Sequence, residues 1–128
     1  MRRLAFLAVL AFLCACASGP PSWYLNPPSD AGFRSAAGVA KAYRRADARE
    51  LALDDAVRGL ARQKGVEVKS VSISKVTDAS FSATMVSEQN VEVTISGLEI
   101  MEWRQLPLEG QGWEYYVLIR IRESDLFR

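Results

Sequence analysis

The chain contains no histidine, and its two cysteines, Cys14 and Cys16, are separated by a single residue. Without imidazole, His-based activation of a nucleophile and His ligation of a metal are excluded. A metal centre needs three or four donors, and two cysteines alone do not supply them. A disulfide between Cys14 and Cys16 would close a tight, strained loop. An excess of one charge is also lacking. There are 16 basic and 15 acidic residues, for a net charge of +1. No clustered basic excess marks a nucleic-acid footprint, so no nucleic-acid partner is expected. The 128 residues fit one domain, and 49% apolar with 24% charged residues is ordinary for a globular chain. No internal repeat stands out.

Long hydrophobic runs are absent except at the start. Met1-Arg2-Arg3 precedes an uncharged apolar run from Leu4 to Leu13. That run is too short to span a bilayer, which takes about 20 residues. It has the length of a signal-peptide core, and small residues follow it. Export through a bacterial Sec-type route is expected. Without Arg2 and Arg3 the count is 14 basic against 15 acidic residues, a net charge of −1.

The sequence Leu13-Cys14-Ala15-Cys16 resembles the bacterial lipobox, with Leu at −3 and a small residue at −1 from Cys16. Cys14 fits less well, because Leu13 would occupy the −1 position. The resemblance implies a diacylglycerol thioether on Cys16, cleavage before it, and acylation of the new N-terminus. Two or three acyl chains anchor stably where one is marginal. The alternative is an ordinary secretory signal cut after Ala17. Ala17, not Asp, follows Cys16, which in the enterobacterial sorting pattern favours the outer membrane. The periplasmic face is expected, with surface exposure as the alternative. Removal of residues 1–15 leaves 128 − 15 = 113 residues, with Cys16 the sole cysteine and blocked by lipid. Cysteine nucleophiles are then excluded as well.

Residues 16–22 read as the lipidated Cys and a Pro-rich tether, with Pro20 and Pro21 holding it extended. The single domain is expected over 23–128. Trp23, Tyr24 and Leu25 follow the tether, and an aromatic cluster is unusual in a linker. The favoured reading is that Trp23 packs on the domain as its first ordered contact. The other is contact with lipid headgroups or a partner.

The remainder reads as α+β. Residues 33–42 (FRSAAGVAKA) suggest a strand with Ala36, Gly38 and Ala40 on a face allowing close approach. Over 43–65, Leu53, Ala56, Val57, Leu60 and Ala61 recur at the spacing of one helix face, and Ala48 and Ala52 extend it. Asp47-Ala48-Arg49-Glu50 could form a capping box, or the helix could start near Arg44; Gly65 is the stop. Residues 66–76 form a strand with a bend near Ser70. Residues 78–90 fit a loop or a short helix with Phe81 and Met85 at i, i+4. A strand over 91–103 shifts phase at Gly97. A turn spans 108–112. The last strand, 113–127, puts Trp113, Tyr115, Val117, Ile119 and Ile121 on one face and Tyr116, Leu118, Arg120 and Arg122 on the other. The expected order is β-α-β-β-β, a mostly antiparallel sheet with one long helix packed on one face. The face with Tyr116, Arg120 and Arg122 is expected to meet water.

The segments PSWYLNPP, AAGVAKAYRRADARELALDDAVRGLARQKGVEV, VTISGLEIMEW and YYVLIRI, in that order, resemble the LPP-twenty lipoprotein family. Gly38-Val39-Ala40 departs from it where a second glycine is usual. The resemblance implies an outer-membrane lipoprotein with a structural or assembly role, associated with the flagellum in some members. It implies no catalytic residue and no cofactor.

Three functions follow. The first is a lipid-anchored envelope module, non-enzymatic, binding envelope proteins or copies of itself. The second is a small-ligand or glycan binder using Trp23, Tyr43, Trp103 and Trp113. The third is a carboxylate hydrolase, but Asp54 and Asp55 point to different helix sides, and Glu92, Glu99 and Glu102 lack the set spacing of an acid–base pair. Catalytic, cofactor and metal residues are therefore expected to be none. Trp23, Tyr24, Trp103 and Trp113 are the candidates for partner contact or packing.

Overall fold

In a computed structural model of the protein, residues 19–126 are described. The signal segment, Cys14 and Cys16 lie outside them. The elements are α1 (Ser22–Leu25), β1 (Phe33–Ala42), α2 (Arg45–Gln63), β2 (Val68–Ser74), β3 (Ser80–Ser87), β4 (Glu92–Pro107) and β5 (Trp113–Arg122). A 3-10 turn, Glu123–Asp125, follows β5. The fold is α+β. Strands β2 to β5 form an antiparallel meander, and β1 lies beside β5, so the sheet order is β1-β5-β4-β3-β2.

Helix α2 packs across one face of this sheet. Its buried residues are Ala48, Ala52, Leu53, Ala56, Val57, Leu60 and Ala61, the apolar face read from the spacing. The helix starts at Arg45 after Arg44, with no side-chain cap. The Asp47–Glu50 capping box therefore does not form; Asp47 sits in the first turn, where a negative charge suits the helix dipole. At the far end Gly65 takes φ +73, a conformation that ends the helix at little steric cost.

The sheet's inner face supplies the rest of the core. Val117, Ile119 and Ile121 from β5, Ile95 and Leu98 from β4, and Phe81, Ala83 and Met85 from β3 all pack there. Each fully buried large apolar side chain is worth about 1.5–3 kcal/mol.

The segment 78–90, expected as a loop or short helix, is instead strand β3. Phe81, Ala83 and Met85 are buried and alternate with Ser82 and Thr84. The sheet thus has five strands where the expected order had four. The register shift between Val68 and Ser70 matches the bend expected near Ser70. A second shift is carried by Ser96 and Gly97, with Gly97 at φ +78. A third, at Met101, was not foreseen.

The outer face also differs from expectation. Tyr116 and Leu118 are only 7% and 3% exposed, not solvated. The N-terminal segment lies over them: Pro21 is buried, and the Tyr24 ring meets Tyr116 edge-on at 5.1 Å. Arg104 Nη1 donates to the Gly19 carbonyl at 3.4 Å. Ordered contact with the domain therefore begins before Trp23: within residues 19–22, read as tether, Gly19 is held by Arg104 and Pro21 is buried, while Pro20 and Ser22 stay exposed. Arg122 is exposed, as expected. Arg120 is held by Glu99 at 2.8 Å and lies over the Phe33 ring.

Candidate functional site

The third bulge determines what the end of β4 presents. Ile100 pairs with Ile119 and Trp103 with Val117, with one rung, Glu102–Leu118, between them. Ile100 and Trp103 are three residues apart, and without a bulge they would face opposite sides. The extra residue, Met101, turns Trp103 back to the helix side. Gln105, two residues on, shares that side and pairs with Tyr115.

Trp103 and Tyr115 stack, with ring planes 9° apart and centroids 6.0 Å apart. Tyr115 is buried beneath, whereas Trp103 is 54% exposed. Helix α2 brings Arg45 and Arg49 to the same end, one turn apart on one helix face. The Arg45 guanidinium lies 4.5 Å from the centre of the Trp113 ring, a cation–π contact. Arg49 Nη2 donates to the Thr77 carbonyl at 2.9 Å. Burial pushes the Tyr115 hydroxyl above its ordinary range, and the neighbouring Arg49 opposes that shift.

These residues border an open cleft of about 640 Å³ lined by Arg45, Arg49, Asp78, Trp103, Gln105 and Tyr115. Among the described residues, neither Arg45 nor Arg49 forms an ion pair. The cleft combines a flat apolar surface, an amide and two guanidinium groups not neutralised by a carboxylate contact. It can hold an anion and a flat ring together.

The aromatics expected to act together do not converge. Trp103 and Trp113 share this end of the sheet through Arg45. Trp23 lies on the outer face, half-buried in a shallow depression with Leu118 and Arg120. Tyr24 packs on Tyr116, and Tyr43 is 78% exposed away from the cleft. The Tyr116 hydroxyl donates to Glu114 at 2.8 Å. Its pKa is pushed up to about 12, first by burial and then by the bond to Glu114.

The carboxylates considered for hydrolysis have structural partners or stand apart. Asp54 accepts from Arg58 at 2.6 Å, and Asp55 accepts from the Val39 backbone N–H at 3.0 Å. Glu99 pairs with Arg120, and Glu92 and Glu102 are exposed. No cluster of three His, Cys, Asp or Glu side chains able to hold a metal occurs among the described residues. No helix among them is long and apolar enough to cross a membrane.

Arg45, Arg49, Gln105 and Tyr115 were not singled out as site residues from sequence. The i, i+4 spacing of the two arginines was the available signal. The chain matches no family model, and no curated protein or solved structure matches it.

Proposed function

We propose that the protein is a lipid-anchored envelope lipoprotein whose domain serves as a non-enzymatic structural or interaction module of the outer membrane. The observation that carries this reading is the position of the chain's entry. Cys16, the lipobox cysteine, lies three residues before Gly19, whose carbonyl accepts from Arg104. Three extended residues reach about 10 Å. An acylated Cys16 would hold the sheet close to the headgroups instead of on a long leash. A flagellum-associated assembly role is the form of this reading that the LPP-twenty resemblance favours. The non-enzymatic part is supported by a chain without histidine and by Asp54, Asp55 and Glu99 bound to structural partners.

The test is metabolic labelling with a palmitate analogue. Label should persist in Cys14→Ser, disappear in Cys16→Ser, and partition with the outer membrane in the parent chain. Retention in Cys16→Ser would overturn the assignment.

A second reading, a small-ligand or glycan-binding lipoprotein, is favoured by one observation: Arg45 and Arg49, neither in an ion pair among the described residues, beside the exposed Trp103 face.

A further inference from the structure

We infer that the cleft between the start of α2 and the end of β4 binds an acidic saccharide: a sugar ring carrying one carboxylate, stacked on Trp103 with its acid group on Arg45 and Arg49. This deepens the second reading above and does not depend on lipidation.

Three features select this ligand class. A pyranose has an apolar C–H face and a polar rim, and Trp103 offers a flat, 54% exposed surface braced from beneath by Tyr115. Bracing matters because a side chain already ordered loses less freedom on binding. Gln105 borders the same cleft and can donate to or accept from ring hydroxyls. The two guanidinium groups supply forked donors suited to a carboxylate.

The charge balance sets the number of acid groups. Arg45 and Arg49 contribute two positive charges and Asp78 one negative charge, so the lining carries 2 − 1 = +1. One carboxylate balances that lining, whereas a dianionic phosphate would overcompensate it. Asp78 can in turn accept a hydrogen bond from a sugar hydroxyl, which a ligand without hydroxyls leaves unused. The cleft, about 640 Å³, falls within the range of about 300–1,000 Å³ usual for small-molecule sites.

The test is a titration of the full chain in neutral detergent, followed by two-dimensional NMR of backbone amides and tryptophan indoles. The probes are N-acetylmuramic acid, N-acetylglucosamine, lactate and phosphatidylglycerol. The first two differ by the lactyl carboxylate, and lactate carries the acid without the ring. N-acetylmuramic acid should shift the Trp103 indole and the amides of Arg45, Arg49 and Gln105, binding at least fivefold more tightly than either the neutral sugar or lactate. Arg45→Gln and Trp103→Ala should each weaken it at least fivefold, and Arg62→Gln, outside the cleft, should not. Both cleft residues are exposed, so each variant should keep the parent spectrum elsewhere. Equal binding of the neutral sugar, equal binding of lactate, or no shift with any probe would overturn the proposal. So would phosphatidylglycerol shifting the same residues as strongly as the acidic sugar, which would make the cleft a headgroup site. The palmitate experiment reads the anchor alone, so either result can fail without the other.

Discussion

Gly38 of β1 lies directly beneath Ala52 of α2. A Cβ at position 38 would collide with the Ala52 carbonyl oxygen and come within 2.6 Å of the Ala56 nitrogen. Only hydrogen fits between this strand and this helix, and the approach presses α2 onto the edge strand β1. Gly38→Ala must therefore move backbone rather than a flexible side chain. The expected cost is about 3 kcal/mol, the upper part of the range for overpacking a tight core. Urea unfolding of parent and variant checks it; an unchanged midpoint would show that the helix can lift at no cost.

The same approach protects β1 as an edge. Strand edges expose unpaired N–H and C=O groups that invite pairing with another chain. Here Asp55 of α2 accepts from the Val39 N–H at 3.0 Å, and Gln63 donates to the Ser35 carbonyl at 2.7 Å. Asp55→Ala is expected to cost about 1–3 kcal/mol, because it leaves a partly buried N–H without its acceptor. It should also raise the tendency to self-associate, as read by size-exclusion chromatography over a concentration series. Asp55→Asn keeps an acceptor oxygen and should cost less.

Helix α2 was legible because Leu53, Ala56, Val57, Leu60 and Ala61 repeat with the helical period and form one buried face. Strand β5 was legible from the apolar phase of Trp113, Tyr115, Val117, Ile119 and Ile121, although Tyr116 and Leu118 interrupt the polar phase. Strand β3 was not: Ala83 is too small to mark the buried phase, and Phe81 and Met85 fit a helix spacing as well as a strand. The bulge at Gly97 carried a glycine as a flag, whereas the bulge at Met101 carried none. Trp103 could therefore be named as a candidate but not placed on the helix side beside Arg45 and Arg49. Burial of Tyr116 was equally hidden, since it depends on Pro21 and Tyr24 folding back from far along the chain.

That burial has a consequence at alkaline pH. An unfolded tyrosine ionises near pH 10, and Tyr116 in the folded protein does so at about 12, through burial first and the Glu114 bond second. The raised folded value means that the protonated phenol is favoured by the fold. Its contribution to stability is full below pH 10 and is lost as pH climbs toward 12. Tyr115, also raised by burial, adds to the same trend. Stability should thus fall over this window, and Tyr116→Phe should flatten the fall. Chemical denaturation at a series of alkaline pH values measures the slope. Ultraviolet difference titration should show one fewer late-ionising phenol in the variant; an unchanged late phase would assign it elsewhere.

The entry segment can be released without touching the core. Tyr24 meets Tyr116 edge-on at 74°, and Pro21 is buried beside the sheet. An aromatic pair of this geometry is worth about 0.5–1.5 kcal/mol beyond its buried area. Tyr24→Ala is therefore expected to loosen residues 19–26 before it lowers global stability appreciably. Chymotrypsin provides the measurement, because Trp23 and Leu25 remain cleavable in the variant. Cleavage there should accelerate several-fold at a protease level that leaves the sheet intact. Tyr116 should become accessible to iodination at the same time, since its cover has lifted. Arg104→Gln, which removes the guanidinium donor to the Gly19 carbonyl, should produce a smaller effect in the same direction. Fast cleavage in Tyr24→Ala with Tyr116 still protected would mean that Pro21 holds the cover alone.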